Sequence, residues 1–271
     1  MSRVIVVGLA GPSCSGKTTV ALNLIKLFPH TVVIHQDDFY RPDSQIPVNS
    51  AVGVQDWDCP GSFDMCKLVE DILATRDKLE RLDSVGSVSD LRDHFASQWA
   101  NPPEDVDQLI PAGALNAICA SMLDDLGIGS ADQMPFYVVL VDGILLFHDR
   151  DGKDEQHPGD ACDAGLFIYA QHATLKERRE ARVAYSTKEG IWTDPPGYFD
   201  SIVWPNFVKY HAEFIKSHPQ VIGSADKGQV PAGEEPGPWG SKVAICSSDI
   251  PAEDMLKACV KSIISEWNGR R

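Results

Sequence analysis

The stretch GPSCSGKTTV at residues 11–20 decides the fold. It fits the pattern G-x-x-x-x-G-K-[S/T] at every fixed position, an apolar run precedes it at 4–8, and KTTVALNLIKLF follows it at 17–28. The glycines let the backbone curl so that successive N–H groups point inward, and a helix N-terminus adds further unpaired N–H groups. The motif in this strand–turn–helix context predicts a loop that holds nucleotide phosphates.

ATP is the expected nucleotide. The chain has no Asn-Lys-x-Asp guanine signature and no Leu-Ser-Gly-Gly-Gln, which disfavours GTPase switches and transporter ATPases. Lys17 is expected to reach the β- and γ-phosphates as a catalytic residue, and the Thr18 hydroxyl to bind Mg²⁺. The predicted ATP-binding residues of the loop are Gly11, Pro12, Ser13, Cys14, Ser15, Gly16, Lys17, Thr18 and Thr19.

The order of apolar patterns predicts an α/β protein of the P-loop kinase fold, with a parallel five-stranded sheet and helices on both faces. Strands are expected at 4–8, 30–35, 137–141, 164–169 and 242–246, and helices at 17–28, 63–82, 174–185 and 251–267, with Asp249 capping the last helix. We expect one domain over 1–271, with a peripheral insertion at about 84–134, an arginine-bearing lid at about 174–200 and a surface loop at about 220–241.

Composition excludes several classes of protein. The net charge of −15 argues against a sequence-independent nucleic-acid binder and against a polybasic membrane anchor. No apolar run approaches the roughly 20 residues that span a bilayer. The seven cysteines include no Cys-x-x-Cys and no zinc pattern, and a strand that begins by Val4 leaves no room for a signal peptide. Free thiols and a cytoplasmic location are therefore expected.

Carboxylates follow two of the predicted strands. QDDFY at 36–40 ends the second strand, and the carboxyl ends of parallel strands share the crevice with the phosphate loop. Asp37 is the candidate general base; Asp38 is the other aspartate there, and two aspartates that simply open a turn are the alternative. Asp142, after YVVLV, fits a second position near Mg²⁺.

The sequence TLKERREARVAY at 174–185 is strongly charged. Its arginines Arg178 and Arg182 are four residues apart and would share a helix face, with Arg179 between them. Such arginines can close over ATP and stabilise the charge of the transferring phosphoryl group. A solvated helix with internal ion pairs explains the same pattern equally well.

Five segments together resemble the nicotinamide riboside kinases of the uridine-kinase-like branch of P-loop kinases, in a longer, fungal-type form. They are QDDFYRP, DWD, VDGILLF, LKERREARV and PPGYFDSIVWPNFVKY, in family order. The resemblance implies ATP- and Mg²⁺-dependent phosphorylation of the ribose 5′-hydroxyl of nicotinamide riboside, with nicotinic acid riboside as a further candidate substrate, by a monomer. The alternatives are a kinase of uridine or another nucleoside, and a catalytically inactive nucleotide-binding regulator, which intact Lys17, Thr18 and Asp37 disfavour.

The resemblance also implies roles for individual residues. Trp57 would stack on the pyridinium ring, as an indole face holds cations well, although core packing is the plain alternative for this tryptophan. The implied substrate-binding residues are Asp37, Asp38, Phe39, Tyr40, Trp57, Asp58, Arg179 and Tyr185. Further ATP contacts would come from Arg178, Arg182, Asp249, Ile250 and Pro251, and metal contacts from Thr18, Asp37 and Asp142. The family carries Glu where this chain has Asp142, so the shorter arm would act through water.

Overall fold

The chain folds around a sheet of five parallel strands in the order β2-β5-β1-β6-β9. The computed structural model describes residues 3–82, 109–150, 156–182, 185–186, 191–222, 239 and 242–271. Two short antiparallel pairs, β3 with β4 and β7 with β8, lie outside the sheet. The strands are β1 Val4–Ala10, β2 Thr31–His35, β3 Val48–Asn49, β4 Val54–Gln55, β5 Tyr137–Gly143, β6 Ala164–Tyr169, β7 Tyr185–Ser186, β8 Ile191–Trp192 and β9 Val243–Ser247.

Helices cover both faces of this sheet. Residues of α1, α3 and α8 pack on one face, and residues of α2, α6 and α7 pack on the other. This arrangement confirms the predicted fold class. The helices are α1 Lys17–Leu27, α2 Met65–Glu80, α3 Ala112–Leu126, α4 Pro158–Ala161, α5 His172–Glu180, α6 Trp204–Tyr210, α7 Ala212–Ser217 and α8 Ala252–Gly269.

Strand β1 shows why the sheet forms as predicted. All seven of its residues are buried, and they alternate between the two faces: Val4 and Val6 face the core under α2, whereas Ile5 and Val7 face the core under α1. A strand that is buried on both faces reads as a continuous apolar run, because neither side needs polar residues.

Two expectations for the connecting segments are corrected. Helix α3, inside the predicted insertion, buries Ile118, Met122 and Leu126 in the core beside α8, so the described part of the insertion is not peripheral. Within the predicted surface loop at 220–241, Trp239 is buried, with its ring 5.4 Å from that of Phe147. Residues 83–108 and most of 223–241 lie outside the described residues, and the single domain remains a prediction.

Two further observations bear on the expected class of protein. No helix among the described residues is long and apolar enough to cross a membrane. All seven cysteines are free in the structure, as the sequence predicts.

Candidate active site

The loop at residues 11–18 joins β1 to α1 and is built for close approach of backbone to ligand. Gly11 has φ 143°, and a Cβ there would lie 1.9 Å from the carbonyl oxygen of Ile168, so no other residue fits. Gly16 (φ 98°) and Cys14 (φ 65°) also adopt left-handed backbone conformations. For Cys14 this conformation is uncommon and is typical of tight functional loops.

The N-terminus of α1 has the free donors that an anion requires. Gly16 precedes the first turn, and no side chain caps it. The first N–H groups of a helix have no intrahelical acceptor and carry the positive end of the dipole. Lys17 Nζ donates to the carbonyl oxygens of Gly11 and Pro12 at 3.0 and 3.1 Å, which holds the ammonium group across the loop.

The two candidate carboxylates meet at the ends of neighbouring strands. The register pairs His35 of β2 with Asp142 of β5, and His35 Nδ1 lies 3.4 Å from Asp142 Oδ2. Asp37 follows in a short 3-10 helix, Gln36–Phe39. The other oxygen of Asp142, Oδ1, is buried and has no hydrogen-bond partner among the described residues. Such an orphaned oxygen needs a donor or a cation.

Asp37 is exposed at the end of β2. Loss of surrounding water raises its pKa, the Asp142 carboxylate adds to the rise, and Lys17 opposes it. Burial lowers the pKa of Lys17, against the opposing attraction of Asp142 and Asp37. These three groups therefore share one electrostatic environment in which a carboxylate is a stronger base than in water.

Helix α5 places two arginines on the phosphate loop. Arg178 Nη1 donates to the carbonyl oxygen of Cys14 at 3.3 Å and to Ser248 Oγ at 2.9 Å. Arg179 Nη1 donates to Ser13 Oγ at 2.7 Å. The helix ends at Glu180 rather than at 185, so Arg182 lies beyond it, and the shared helix face expected for Arg178 and Arg182 is wrong.

Arg179 joins the phosphate loop to a second group of residues. Its Nε and Nη2 donate to the two oxygens of Asp194 at 2.6 and 3.0 Å, and Nη2 lies 4.0 Å from Asp58 Oδ2. A two-point contact of this kind fixes the plane of a guanidinium group. The guanidinium group of the buried Arg179 therefore contacts Ser13 through Nη1 and lies beside Asp58 with Nη2.

That second group is an aromatic and acidic pocket. Trp57 is 6% exposed, with its ring 5.4 Å from Tyr40 and 5.6 Å from Trp192. Its indole N–H is buried without an acceptor among the described residues, whereas its backbone N–H donates to the hydroxyl of Tyr198 at 3.1 Å. The burial agrees with the core-packing alternative, and the unsatisfied N–H leaves one polar contact available to a ligand.

Asp58 is a buried acid of this pocket with a shifted pKa. Burial raises its pKa to about 6, against the attraction of Arg179, and Asp56 and Asp194 add to the rise. Asp56 is also buried and accepts a hydrogen bond from Asn206 at 2.7 Å. Phe39 is buried in the core that includes α2. Burial raises the pKa of Tyr40 well above its ordinary value, so its hydroxyl stays neutral. Asp38 is half-buried in the 3-10 helix.

The segment after β9 lies beside the phosphate loop. Asp249 does not cap α8; its carboxylate accepts from the backbone N–H of Gln171 at 3.0 Å and from Thr174 Oγ1 at 3.2 Å, at the start of α5. Ile250 is 44% exposed and Pro251 is exposed as well. An exposed apolar residue next to Ser248 and Arg178 is a suitable contact for a flat base.

Sequence reasoning missed several residues of the site. Asp194 and Trp192 make the contacts above but lie in none of the segments that carry the resemblance, and Tyr198 lies in one of those segments without a predicted role. The spacing Trp-x-Asp was the available signal, because the Trp192 indole N–H donates to Asp194 at 2.9 Å. The side chain of Tyr185, predicted to contact the substrate, lies outside the described residues.

Proteins similar to this chain include nicotinamide riboside kinases from yeasts and mammals. The nicotinamide riboside kinase of Schizosaccharomyces pombe is 31% identical over 213 residues, which are 79% of this chain and 81% of that protein. That of Saccharomyces cerevisiae is 31% identical over 79% of this chain and 80% of that protein, and human nicotinamide riboside kinase 1 is 26% identical over 78% of each.

No family model matches. A sugar kinase structure from Janibacter covers 96% of this chain and 94% of its own at 11% identity, but its TM-score of 0.34 is too low to indicate a shared fold. The fungal matches, at this identity and coverage, show that the chain belongs to the nicotinamide riboside kinase family.

Proposed function

We propose that this chain transfers the γ-phosphoryl group of ATP to the ribose 5′-hydroxyl of nicotinamide riboside. The observation that carries the proposal is the position of Arg179, which donates to Ser13 of the phosphate loop and lies 4.0 Å from Asp58 of the aromatic pocket. One guanidinium group thus adjoins both the nucleotide side and the nucleoside side. The relatives' names support the kinase activity and do not favour uridine as the substrate or an inactive regulator.

Asp37 is the proposed base. It is accessible in the crevice, and its raised pKa improves its capacity to accept the hydroxyl proton. Lys17 and Arg178 lie on the phosphate loop, where their charges would offset the charge of the transferring group. Little covalent chemistry is required of the protein in this reaction, so most of the rate comes from positioning and charge.

Mg²⁺ is the proposed metal cofactor, held by Thr18, Asp37 and Asp142. The residues fit, because all three offer oxygen atoms and Asp142 Oδ1 lacks a partner among the described residues. Within those residues no cluster of three or more His, Cys, Asp or Glu side chains could hold a metal. Mg²⁺ commonly binds through one or two carboxylates, water and substrate phosphates, and Asp37 and Asp142 would supply the carboxylates. When bound, it would neutralise charge on the phosphates.

The pyridinium ring of the substrate is proposed to bind at Trp57. A ring stacked between Trp57 and Trp192 needs their centroids at about 7 Å, twice the optimal carbon contact distance, so Trp192 must move from its present 5.6 Å. Asp58 would accept from the ribose hydroxyls, and its charge would favour a cationic nucleoside. Nicotinic acid riboside, with an added carboxylate, should bind less tightly in this acidic pocket.

A panel of nucleosides tests the proposal. ATP-dependent phosphorylation would be measured by product mass for nicotinamide riboside, nicotinic acid riboside, uridine and cytidine. We expect the highest kcat/KM for nicotinamide riboside, and a higher kcat/KM for uridine would refute the assignment. We further propose that the enzyme acts as a cytoplasmic monomer, which sedimentation and imaging of the tagged protein would test.

A further inference from the structure

Gln36 connects the ends of the two strands that carry the candidate carboxylates. Its side chain is completely buried between the end of β2 and the turn that follows β5. Gln36 Oε1 accepts hydrogen bonds from the backbone N–H groups of Ile144 and Leu145, at 2.9 and 3.0 Å. The residue adjoins Asp37 in sequence, and its two donors begin two residues after Asp142.

The amide nitrogen of Gln36 is directed the other way. Gln36 Nε2 lies 3.5 Å from the sulfur of Met65, the first residue of α2, in a weak hydrogen bond. The carboxamide therefore joins the end of β2 to two other elements, the turn after β5 and helix α2. A buried amide whose oxygen and nitrogen both have partners has one favourable orientation.

Gly143 leaves the room that this side chain occupies. A Cβ at Gly143 would lie 2.6 Å from Gln36 Oε1 and 2.7 Å from Gln36 Cβ. The backbone of Gly143 has no positive φ, so the contact with Gln36 is what excludes a larger residue. The Gln36 side chain therefore packs directly on Gly143 and connects the ends of β2 and β5.

We propose that Gln36 is a positioning residue that fixes the Asp37 carboxylate relative to Asp142. The inference rests on the proposed function, in which Asp37 accepts the hydroxyl proton. His35 also contacts Asp142, but at 3.4 Å, so the shorter contacts across the two strand ends are those of Gln36. A displacement of about 1 Å in a reacting group can lower turnover on the order of 10²-fold.

The first test is Gln36→Met, which keeps the volume and removes the acceptor for both N–H groups. We expect kcat to fall on the order of 10- to 100-fold, with KM for ATP and for the nucleoside within about threefold of wild type. The control is Thr75→Val, which removes another buried hydrogen bond, to the carbonyl oxygen of Asp71 on α2, far from the carboxylates in sequence. Thr75→Val should lower the melting temperature and leave kcat unchanged.

The second test changes Gly143, the other partner in the contact with Gln36. It also covers the case in which Gln36→Met does not fold. Gly143→Ala should lower kcat with the same small effect on KM. Its control is Gly165→Ala in β6, where a Cβ would meet Phe147 and Val243 at 2.7 Å, a comparable crowding without a candidate site residue. Gly165→Ala should cost stability only.

Several outcomes would overturn the inference. They are a wild-type kcat in Gln36→Met or, where that variant does not fold, in Gly143→Ala; a loss confined to KM; or an equal loss of kcat in the two controls. Asp37→Asn separates this inference from the proposed function. An active Asp37→Asn refutes the base, whereas an inactive Asp37→Asn beside a fully active Gln36→Met refutes only the role of Gln36.

Discussion

The phosphate loop and the aromatic pocket are held by different kinds of contact. The loop is a run of consecutive residues whose shape comes from its own backbone, at Gly11, Cys14 and Gly16. The pocket is assembled from distant parts of the chain: the Trp57 N–H to Tyr198 hydroxyl bond alone spans 141 positions. A change in the loop should therefore act on one ligand, whereas a change in the pocket should spread through its neighbours.

The largest expected effect is in the loop. Lys17→Met removes the ammonium group while keeping the side-chain length. We expect kcat to fall on the order of 10³-fold, because the protein then lacks a cation that stabilises the transferring phosphoryl group. Lys26→Met, an exposed lysine on the last turn of α1, is the matched control. Steady-state kinetics would measure both. Similar activity in the two variants would contradict a phosphate-binding role for the loop.

Asp194→Asn tests whether the pocket depends on its distant contacts. It weakens the two-point contact that orients Arg179 and leaves a buried guanidinium poorly paired, so kcat/KM for the nucleoside should fall on the order of 10²-fold. Asp200→Asn, an exposed carboxylate of the same segment that pairs with Lys176, is the control. If Asp194→Asn and Asp200→Asn had the same kcat/KM for the nucleoside, the contact with Asp194 would not be needed to orient Arg179.

Trp57→Leu should affect the binding of the nucleoside and leave the binding of ATP unchanged. Loss of a desolvated cation–π contact of about 2 kcal/mol predicts a KM for nicotinamide riboside raised roughly 30-fold. KM for ATP should be unchanged. Trp204→Leu removes another aromatic ring of the same cluster, one whose ring neighbours are His172, Phe199 and Phe207, and serves as the control for packing. An equal rise of KM for both substrates would show that Trp57 acts through packing.

The smallest expected effect is a pH dependence. Because burial raises the pKa of Asp58 to about 6, its carboxylate is ionised at pH 7.5 and becomes protonated as the pH falls through 6. At pH 5 roughly one tenth remains ionised, so KM for nicotinamide riboside should rise about tenfold. Its charged neighbours are Arg179, Asp56, Asp194 and Asp37. Asp58→Asn should raise KM and remove its pH dependence, and a flat wild-type profile would refute the assignment.

The difference between the phosphate loop and the aromatic pocket also explains which features the sequence could predict. The five strands and the phosphate loop follow from local signals, since each is a continuous run with its own periodicity or motif. Asp194, Trp192 and Tyr198 could not be found in this way, because their roles depend on which distant residues they meet. The core position of α3 was missed for the same reason, because it depends on the helices and strands that α3 meets. The end of α5 at Glu180 has no explanation in the described contacts.

The most direct test of the central claim uses Asp37→Asn. Calorimetric titration would give the affinities of this variant for ATP and for nicotinamide riboside, and a mass-resolved assay would give its turnover. If the loop and the pocket bind separately and Asp37 joins them in catalysis, both affinities should stay within about threefold of wild type while kcat falls at least 10²-fold. Near-normal turnover, or the loss of either affinity, would contradict the account.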